Sequence, residues 1–400
     1  METDQVTVDM IVAVHDPRRD VHRAVASILA DPDPTIRALV VAHNLPAAEV
    51  RALLEPLTHA HPQRIRIEVC DDGVPSPSGP FNHGLAVSDA DFVGIMGSDD
   101  ELDPGAIAQW RRVALRLRAD AVIATVVRGP QRDIVRSPPK RLWRTGVLDF
   151  ARDRLPYRSA PLGLMRRSAV ADLGLRLLDG ARNGGDLPFA TRLWFLGRVV
   201  SSPGPAAYVE HADAPVRVTL VAKPASEELG PVLTLLEDPL LSAMTRAQRE
   251  ALATKLVRRN VTDSLRKRRG GLGLTPDDIR ALCDVVAAIE AFAPRTLDLM
   301  SVAQRRVIDA LCEPGTDPER IAELDRAAQR YATPGALLPA RLRHVLHPQG
   351  PLRFTIASAL VPLGMSRWFA AGRLAAVAAS AAAAAMGGLL VGRALAGPRR

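Results

Sequence analysis

Four short apolar runs separated by helical stretches fill the first hundred residues, and this alternation restricts the fold more than any other feature. Residues 6–14 (VTVDMIVAV), 36–42 (IRALVVA), 65–70 (IRIEVC) and 91–96 (DFVGIM) are rich in β-branched side chains. Such runs suit strands buried on both faces, the pattern of parallel sheets covered by helices. Between the first two, Val21, Ala24, Val25, Ile28 and Leu29 recur at helical spacing within 19–30, with Asp16-Pro17 as the start signal. Residues 46–57 read as a second helix and residues around 82–88 as a third. The Pro, Gly and Ser of DDGVPSPSGP (71–80) exclude regular structure there. The pattern predicts an α/β fold, a mostly parallel sheet flanked by helices. Ligands of such sheets bind beyond the carboxyl ends of the strands. Asp16, His43, Asp71, Asp99 and Asp100 all fall just past strand ends.

Beyond residue 221 strand signals vanish, and the chain divides into 1–220, a helical domain over 221–345, and an apolar segment over 346–400. Thr275-Pro276-Asp277-Asp278 shows the helical character: a threonine cap, proline at the first position and acids facing the positive helix end. From Leu374 to Gly392, nineteen residues carry no charge. As a helix they would span about 28 Å, near the hydrocarbon thickness of a bilayer. Arg367 and Arg373 precede this stretch, Arg393, Arg399 and Arg400 follow it, and Trp368 stands where an interfacial ring is expected. Membrane association through the C-terminal segment is the expectation; a buried or surface Ala-rich helix is the plainer alternative. Arginine on both flanks sets no orientation.

The formal net charge of +8 invites a nucleic-acid reading. Only four basic residues are lysine, aromatics are 4%, and no run interleaves basic and stacking side chains, so no nucleic-acid partner is expected. The charge suits anionic membranes or phosphorylated substrates. Three dispersed cysteines (Cys70, Cys283, Cys312) give neither a disulfide framework nor a metal spacing. The polar start METDQVTVDM is not a secretory signal, and the expected location is the cytoplasmic face of the cell membrane.

The most informative stretch is Asn82-His83-Gly84-Leu85 followed by Asp91–Met96 and Gly97-Ser98-Asp99-Asp100-Glu101-Leu102-Asp103-Pro104. It resembles the large family 2 of inverting glycosyltransferases, which have the GT-A fold. That family commonly shows N-x-G-L, an apolar strand, then D-S-D-D-x-L-x-P. The resemblance implies a nucleotide-sugar donor with Asn82 beside it, Asp99 near its ribose, and Asp100 holding Mg²⁺ or Mn²⁺. A divalent cation assists diphosphate departure as a Lewis acid and favours carboxylate oxygens. His15-Asp16, after the first strand, matches the turn with which the family holds the base. Asn183-Gly184-Gly185-Asp186, with Arg192-Leu193 and Gly197, resembles its G-E-D element, which makes Asp186 the base that takes a proton from the acceptor hydroxyl. Tyr208-Val209-Glu210-His211 stands where the family often ends a strand in Arg-x-His, which makes His211 a candidate metal ligand.

Three positions depart from the pattern. Ala42-His43-Asn44 replaces the usual Asp-Asp-Gly-Ser, leaving Asn44 to read the base through an amide that donates and accepts. Gly97 replaces the first Asp of the metal motif, and Gly185 the Glu before Asp186. The leading expectation is a metal-dependent inverting transfer to a glycan or lipid-linked acceptor of the cell envelope. The alternative is a catalytically inactive GT-A scaffold that binds a nucleotide-sugar or a protein partner. The basic run Arg258, Arg259, Arg266, Lys267, Arg268 and Arg269 reads either as a membrane-facing patch or as a solvated helix face.

Overall fold

The computed structural model describes residues 6–142, 144–202, 204–211, 213, 223–268, 273–330 and 332–362. The uncharged segment 374–392 lies outside the described residues. The chain forms two compact units, one of residues 1–135, 144–150 and 155–221, the other of residues 136–143, 151–154 and 222–400. The second unit takes up the chain again at residue 222 and does not set residues 346–400 apart. The sequence pattern gave no sign that 136–143 and 151–154 belong to the second unit.

Strands of the first unit are β1 (Val8–Val14), β2 (Ile36–His43), β3 (Ile65–Cys70), β4 (Phe92–Gly97), β5 (Glu101–Leu102), β6 (Ala121–Ile123), β7 (Thr125–Arg128), β8 (Asp133–Ile134), β9 (Gly163–Arg166), β10 (Val199–Ser201) and β11 (Ala207–Glu210). Its helices are α1 (Val21–Leu29), α2 (Ala47–Leu53), α3 (Glu55–Ala60), α4 (Ser78–Val87), α5 (Ala106–Arg116), α6 (Arg167–Asp172) and α7 (Asp186–Leu196). The main sheet runs in the order β10-β6-β9-β4-β1-β2-β3. Strand β1 lies parallel to β2 and β4, with Val8 opposite Ile36 and Phe92, and β3 continues the parallel order beyond β2. Strand β9 is inserted antiparallel between β4 and β6. A smaller sheet, β5-β11-β7-β8, carries Tyr208. The core joins β1, β2 and β4 to α1 and α5 through fully buried Val12, Ile28 and Trp110. Apolar side chains removed from water on both sheet faces hold this layer together.

Several local expectations are corrected. Helix α1 is capped by Asp20, whose side chain accepts from the Arg23 N–H, and not by Asp16. Asp16 is taken instead by the Arg18 guanidinium, at 2.9 and 2.8 Å. The helix expected over 46–57 breaks into α2 and α3, because Pro56 has no N–H to continue the ladder. Helix α4 begins at Ser78, inside the turn-rich stretch, since Pro80 falls in its first turn where an N–H is not needed.

The second unit, among its described residues, is helical: α8 (Ala225–Leu236), α9 (Arg246–Lys255), a π-helical turn (Leu256–Val261), α10 (Thr262–Lys267), α11 (Pro276–Phe292), α12 (Val302–Cys312), α13 (Pro318–Ala328), α14 (Pro334–Leu337) and α15 (Pro351–Leu360). The expected start of α11 is present: Thr275 and Asp278 form a reciprocal capping box with Pro276 in the first turn. The basic run of this unit is not one exposed face, because two of its arginines point inward. Arg268 is 1% exposed and binds Glu228 at 2.8 Å and Asp278 at 2.9 Å. Arg258 is buried, with its guanidinium over the Phe354 ring, while Arg259 and Arg266 pair with Asp263 and Asp325. Arg269 lies outside the described residues. Removing one partner of a buried pair strands the other charge, so Arg268→Ala is expected to cost roughly 3–5 kcal/mol in urea unfolding. Arg259→Ala, at an exposed pair, should cost under about 1 kcal/mol. Equal losses from both would contradict this assignment. No helix among the described residues is long and apolar enough to cross a membrane.

Candidate functional site

A cavity of about 720 Å³ opens at the carboxyl ends of β1, β2 and β4. Its lining brings together His15 after β1, Asn44 after β2, Asp99 and Asp100 after β4, Asp186 at the start of α7, and Tyr208 and His211 around the end of β11. The parallel main sheet places the ends of β1, β2 and β4 side by side, which is why His15, Asn44 and Asp100 meet here, and β11 of the smaller sheet brings Tyr208 and His211 to them.

Asp100 is the most constrained of these groups. The Tyr208 hydroxyl donates to its Oδ2 at 2.6 Å, and the His211 backbone N–H donates to its Oδ1 at 3.1 Å. Burial pushes the Asp100 carboxyl up to about 6; the Tyr208 hydrogen bond opposes this rise and neighbouring Asp99 adds to it. Tyr208 is buried and its hydroxyl titrates well above its ordinary range, because burial and Asp100 both disfavour a phenolate. It therefore stays a donor. Asp99 is 6% exposed and pairs with Arg19 at 3.2 Å, while Arg23 donates to the Asp99 carbonyl. Arg23 also clamps Asp213 at 2.8 Å, tying α1 to the chain beyond β11.

The two glycines that depart from the family pattern each occupy a place with no room for a side chain. A Cβ on Gly97 would lie 2.5 Å from Asp100 Oδ2 and 3.2 Å from Asp99 Oδ1, and the Gly97 N–H donates to the Tyr208 oxygen at 3.0 Å. A Cβ on Gly185 would lie 2.5 Å from the buried Ser78 Oγ and 3.2 Å from the Leu178 carbonyl oxygen. Gly97→Ala is expected to displace the Asp100 carboxylate at an overpacking cost of about 1–3 kcal/mol, read as a lowered melting temperature. An unchanged melting temperature would contradict the tight packing at Gly97.

Other expected site residues fall in different settings. Asp186 is the first residue of α7 rather than its cap, which is Gly185. Asp16 does not line the cavity; Arg18 holds its carboxyl down to about 2. Asn82 is buried away from the lining. Its amide donates to the Leu177 carbonyl at 2.9 Å and to Asp179 at 3.1 Å, and its oxygen accepts from the Leu177 N–H, so it anchors the segment before Asp186. Asn44 adopts a left-handed backbone (φ +53°), accepts from the Gly73 N–H at 2.9 Å and touches His43 Nε2 at 3.1 Å. His211 sits at the cavity, but its Nε2 lies 3.0 Å from Glu101, which directs the ring to that acid.

Arg19, Arg128 and Arg182 also line the cavity and were not singled out by sequence. Their only signal was proximity to His15, to the end of a short strand and to Asp186, and arginine is too frequent here for that to stand out. Arg19 pairs with Asp99 and Arg128 with Glu210, so the lining is one of mixed charge, suited to a ligand with a diphosphate beside polar hydroxyls.

A metal at Asp100 fits the donor chemistry. A hard divalent cation takes one or two carboxylates and completes its shell with substrate phosphate and water, and its charge would favour the ionised carboxylate that burial and neighbouring Asp99 disfavour at Asp100. Among the described residues one group of three potential ligands lies within 4.8 Å of one another, His43, Cys70 and Asp72, and it does not include Asp100. His43 Nε2 is already 3.0 Å from Asp72 Oδ1 in that group.

Residues 9–174 match the family model described as Glycosyl transferase family 2. Among solved structures, S. aureus TarS 1-349 in complex with UDP-GlcNAc matches with a TM-score of 0.67 at 15% identity, covering 82% of this chain and 93% of that chain. The same fragment in complex with UDP matches at 0.64 and 13% identity with the same coverage. The longer TarS chain matches at 0.64 and 14% identity, with 56% of its length covered. At these identities the likeness to TarS is one of fold. No curated protein matches the chain. The matched segment contains β1 to β4 and the Asp99-Asp100 pair, so the likeness to Glycosyl transferase family 2 falls on the part of the chain that builds the cavity and supports a glycosyltransferase.

Proposed function

We propose that the chain transfers a sugar from a nucleotide-sugar donor to a glycan or lipid-linked acceptor of the cell envelope, by a metal-dependent inverting displacement. The observation that carries this reading is the convergence of Asp99-Asp100 and Asp186 on one cavity lined by Arg19, Arg128 and Arg182. TarS, similar in fold, holds UDP-GlcNAc or UDP, which makes a UDP-sugar the first donor to test.

In this reading Asp100 holds Mg²⁺ or Mn²⁺, with Tyr208 and the His211 N–H fixing its carboxylate, and Asp99 stands at the ribose. The cation supplies charge neutralisation for the departing diphosphate. His211 orients Asp100 through its backbone. His15 and Asn44 border the base, Asp16 shapes the turn that carries His15, and Asn82 holds the wall that leads to Asp186. Asp186 takes the proton from the acceptor hydroxyl as that oxygen attacks the anomeric carbon from the face opposite the leaving group. Gly97 and Gly185 do not favour an inactive scaffold, because both carboxylates they neighbour remain at the cavity. The acceptor class is supported by the uncharged stretch 374–392, which suits a chain working at a membrane, on its cytoplasmic face.

The test is a thermal-shift panel of UDP, GDP, CDP and dTDP with Mn²⁺. One nucleotide should raise the melting temperature by several degrees, as ligand binding to the folded state requires. No shift with any of them would overturn the donor assignment.

A further inference from the structure

The net charge of +8 is not spread evenly. After Asp325 the sequence holds ten arginines, two histidines and no acid, so the preceding part is nearly balanced, with 42 basic against 44 acidic residues. The same stretch holds the two most exposed large apolar side chains among the described residues. Leu342 and Leu346 are 69% and 73% exposed, against 45% for Val69, the next in order.

The base of this turn is fixed. Asp298, on the turn before α12, gathers Arg343 at 3.2 Å, Arg341 at 3.6 Å and Arg305 at 3.9 Å. Arg353 donates to the Leu346 carbonyl at 3.1 Å, and His347 lies 3.3 Å from Glu250. The two leucines are thus held outward by an ionic footing, and Arg341 and Arg343 keep 69% and 59% of their side chains in water. Helix α15 follows directly, with only Pro351 of its ten residues buried.

We propose that the face formed by Leu342, Leu346, Arg341, Arg343 and Arg353 docks on the surface of an anionic bilayer. Exposed leucines beside exposed arginines suit an interface, where apolar side chains reach the acyl boundary and guanidinium groups lie among the phosphates. The absence of any acid after Asp325 gives charge complementarity to anionic headgroups over the whole region. The chain also runs on from α15 into the nineteen uncharged residues of 374–392, and lasting membrane attachment generally takes two such signals. A second copy of this chain is disfavoured as the occupant, because it would set these arginines against each other. The inference does not depend on the donor reading, and its test uses no transfer assay.

The full chain is mixed with vesicles of phosphatidylcholine alone, or of equal parts phosphatidylcholine and phosphatidylglycerol. A Leu346→Trp variant, in a Trp368→Phe background that removes the tail indole, is read by quenching from brominated acyl chains. The introduced indole should be quenched on anionic vesicles, and L342S/L346S should weaken vesicle binding about tenfold or more, since two leucines no longer leave water. Both leucines are exposed, so the fold tolerates these changes. An indole that stays in water on vesicle-bound protein would overturn the proposal, leaving the tail alone as the anchor. An indole shielded without vesicles at doubled molecular mass would also overturn it, in favour of a second copy.

Discussion

Asp186→Asn is expected to lower turnover about 10³-fold while donor affinity stays within about twofold, the signature of losing a general base and nothing else. The amide keeps the shape of the carboxylate at the first position of α7, so the helix start and the wall formed by Gly184 and Gly185 should persist. It cannot accept a proton. The loss should therefore fall on kcat and not on the donor KM, measured with the nucleotide released per turnover. A variant that keeps more than a tenth of parent turnover would move the base elsewhere. A variant that loses donor affinity instead would make Asp186 a binding residue.

Asp100→Asn is expected to abolish metal stimulation and reduce turnover by about 10²-fold or more, as removal of one preorganised electrostatic partner commonly does. The comparison with Asp100→Ala separates two roles. Asparagine keeps one carbonyl oxygen, which can accept from either the buried Tyr208 hydroxyl or the His211 N–H, whereas alanine strands both. Melting temperature should fall more for alanine than for asparagine, because an unpaired buried hydroxyl costs about 1–3 kcal/mol. Activity should be lost equally in both. If asparagine keeps metal-stimulated activity, Asp100 supports Tyr208 and does not hold the ion.

The first half of the molecule was readable because parallel strands buried on both faces leave unbroken apolar runs, and because a strand end fixes where its next residues point. That logic located β1 to β4 and placed Asp99 and Asp100 at the cavity. It did not separate Asp16 from Asp20 as the cap of α1, since both precede the helix and only the position of the Arg18 side chain decides. Asn82 was legible as part of a motif, but its partner Leu177 lies 95 residues away, and no local pattern reports such a contact. Gly97 stood out as a departure, yet its meaning depends on Tyr208, brought beside it by the small β5-β11-β7-β8 sheet, whose strands of two to four residues leave almost no periodic signal. The basic run at 258–268 misled because burial is not written in charge. Arg268 is internal only because Glu228 and Asp278 reach it from α8 and α11.

The measurement that tests the central claim most directly is calorimetric titration of the full chain with UDP-GlcNAc, with Mn²⁺ and with excess chelator. The account predicts one molecule bound per chain with Mn²⁺ present, and affinity at least tenfold weaker without the ion or in Asp100→Asn. Folded protein that gives no binding in either condition, with UDP-GlcNAc and with each nucleotide of the thermal-shift panel, would contradict the assignment of this cavity as a nucleotide-sugar site.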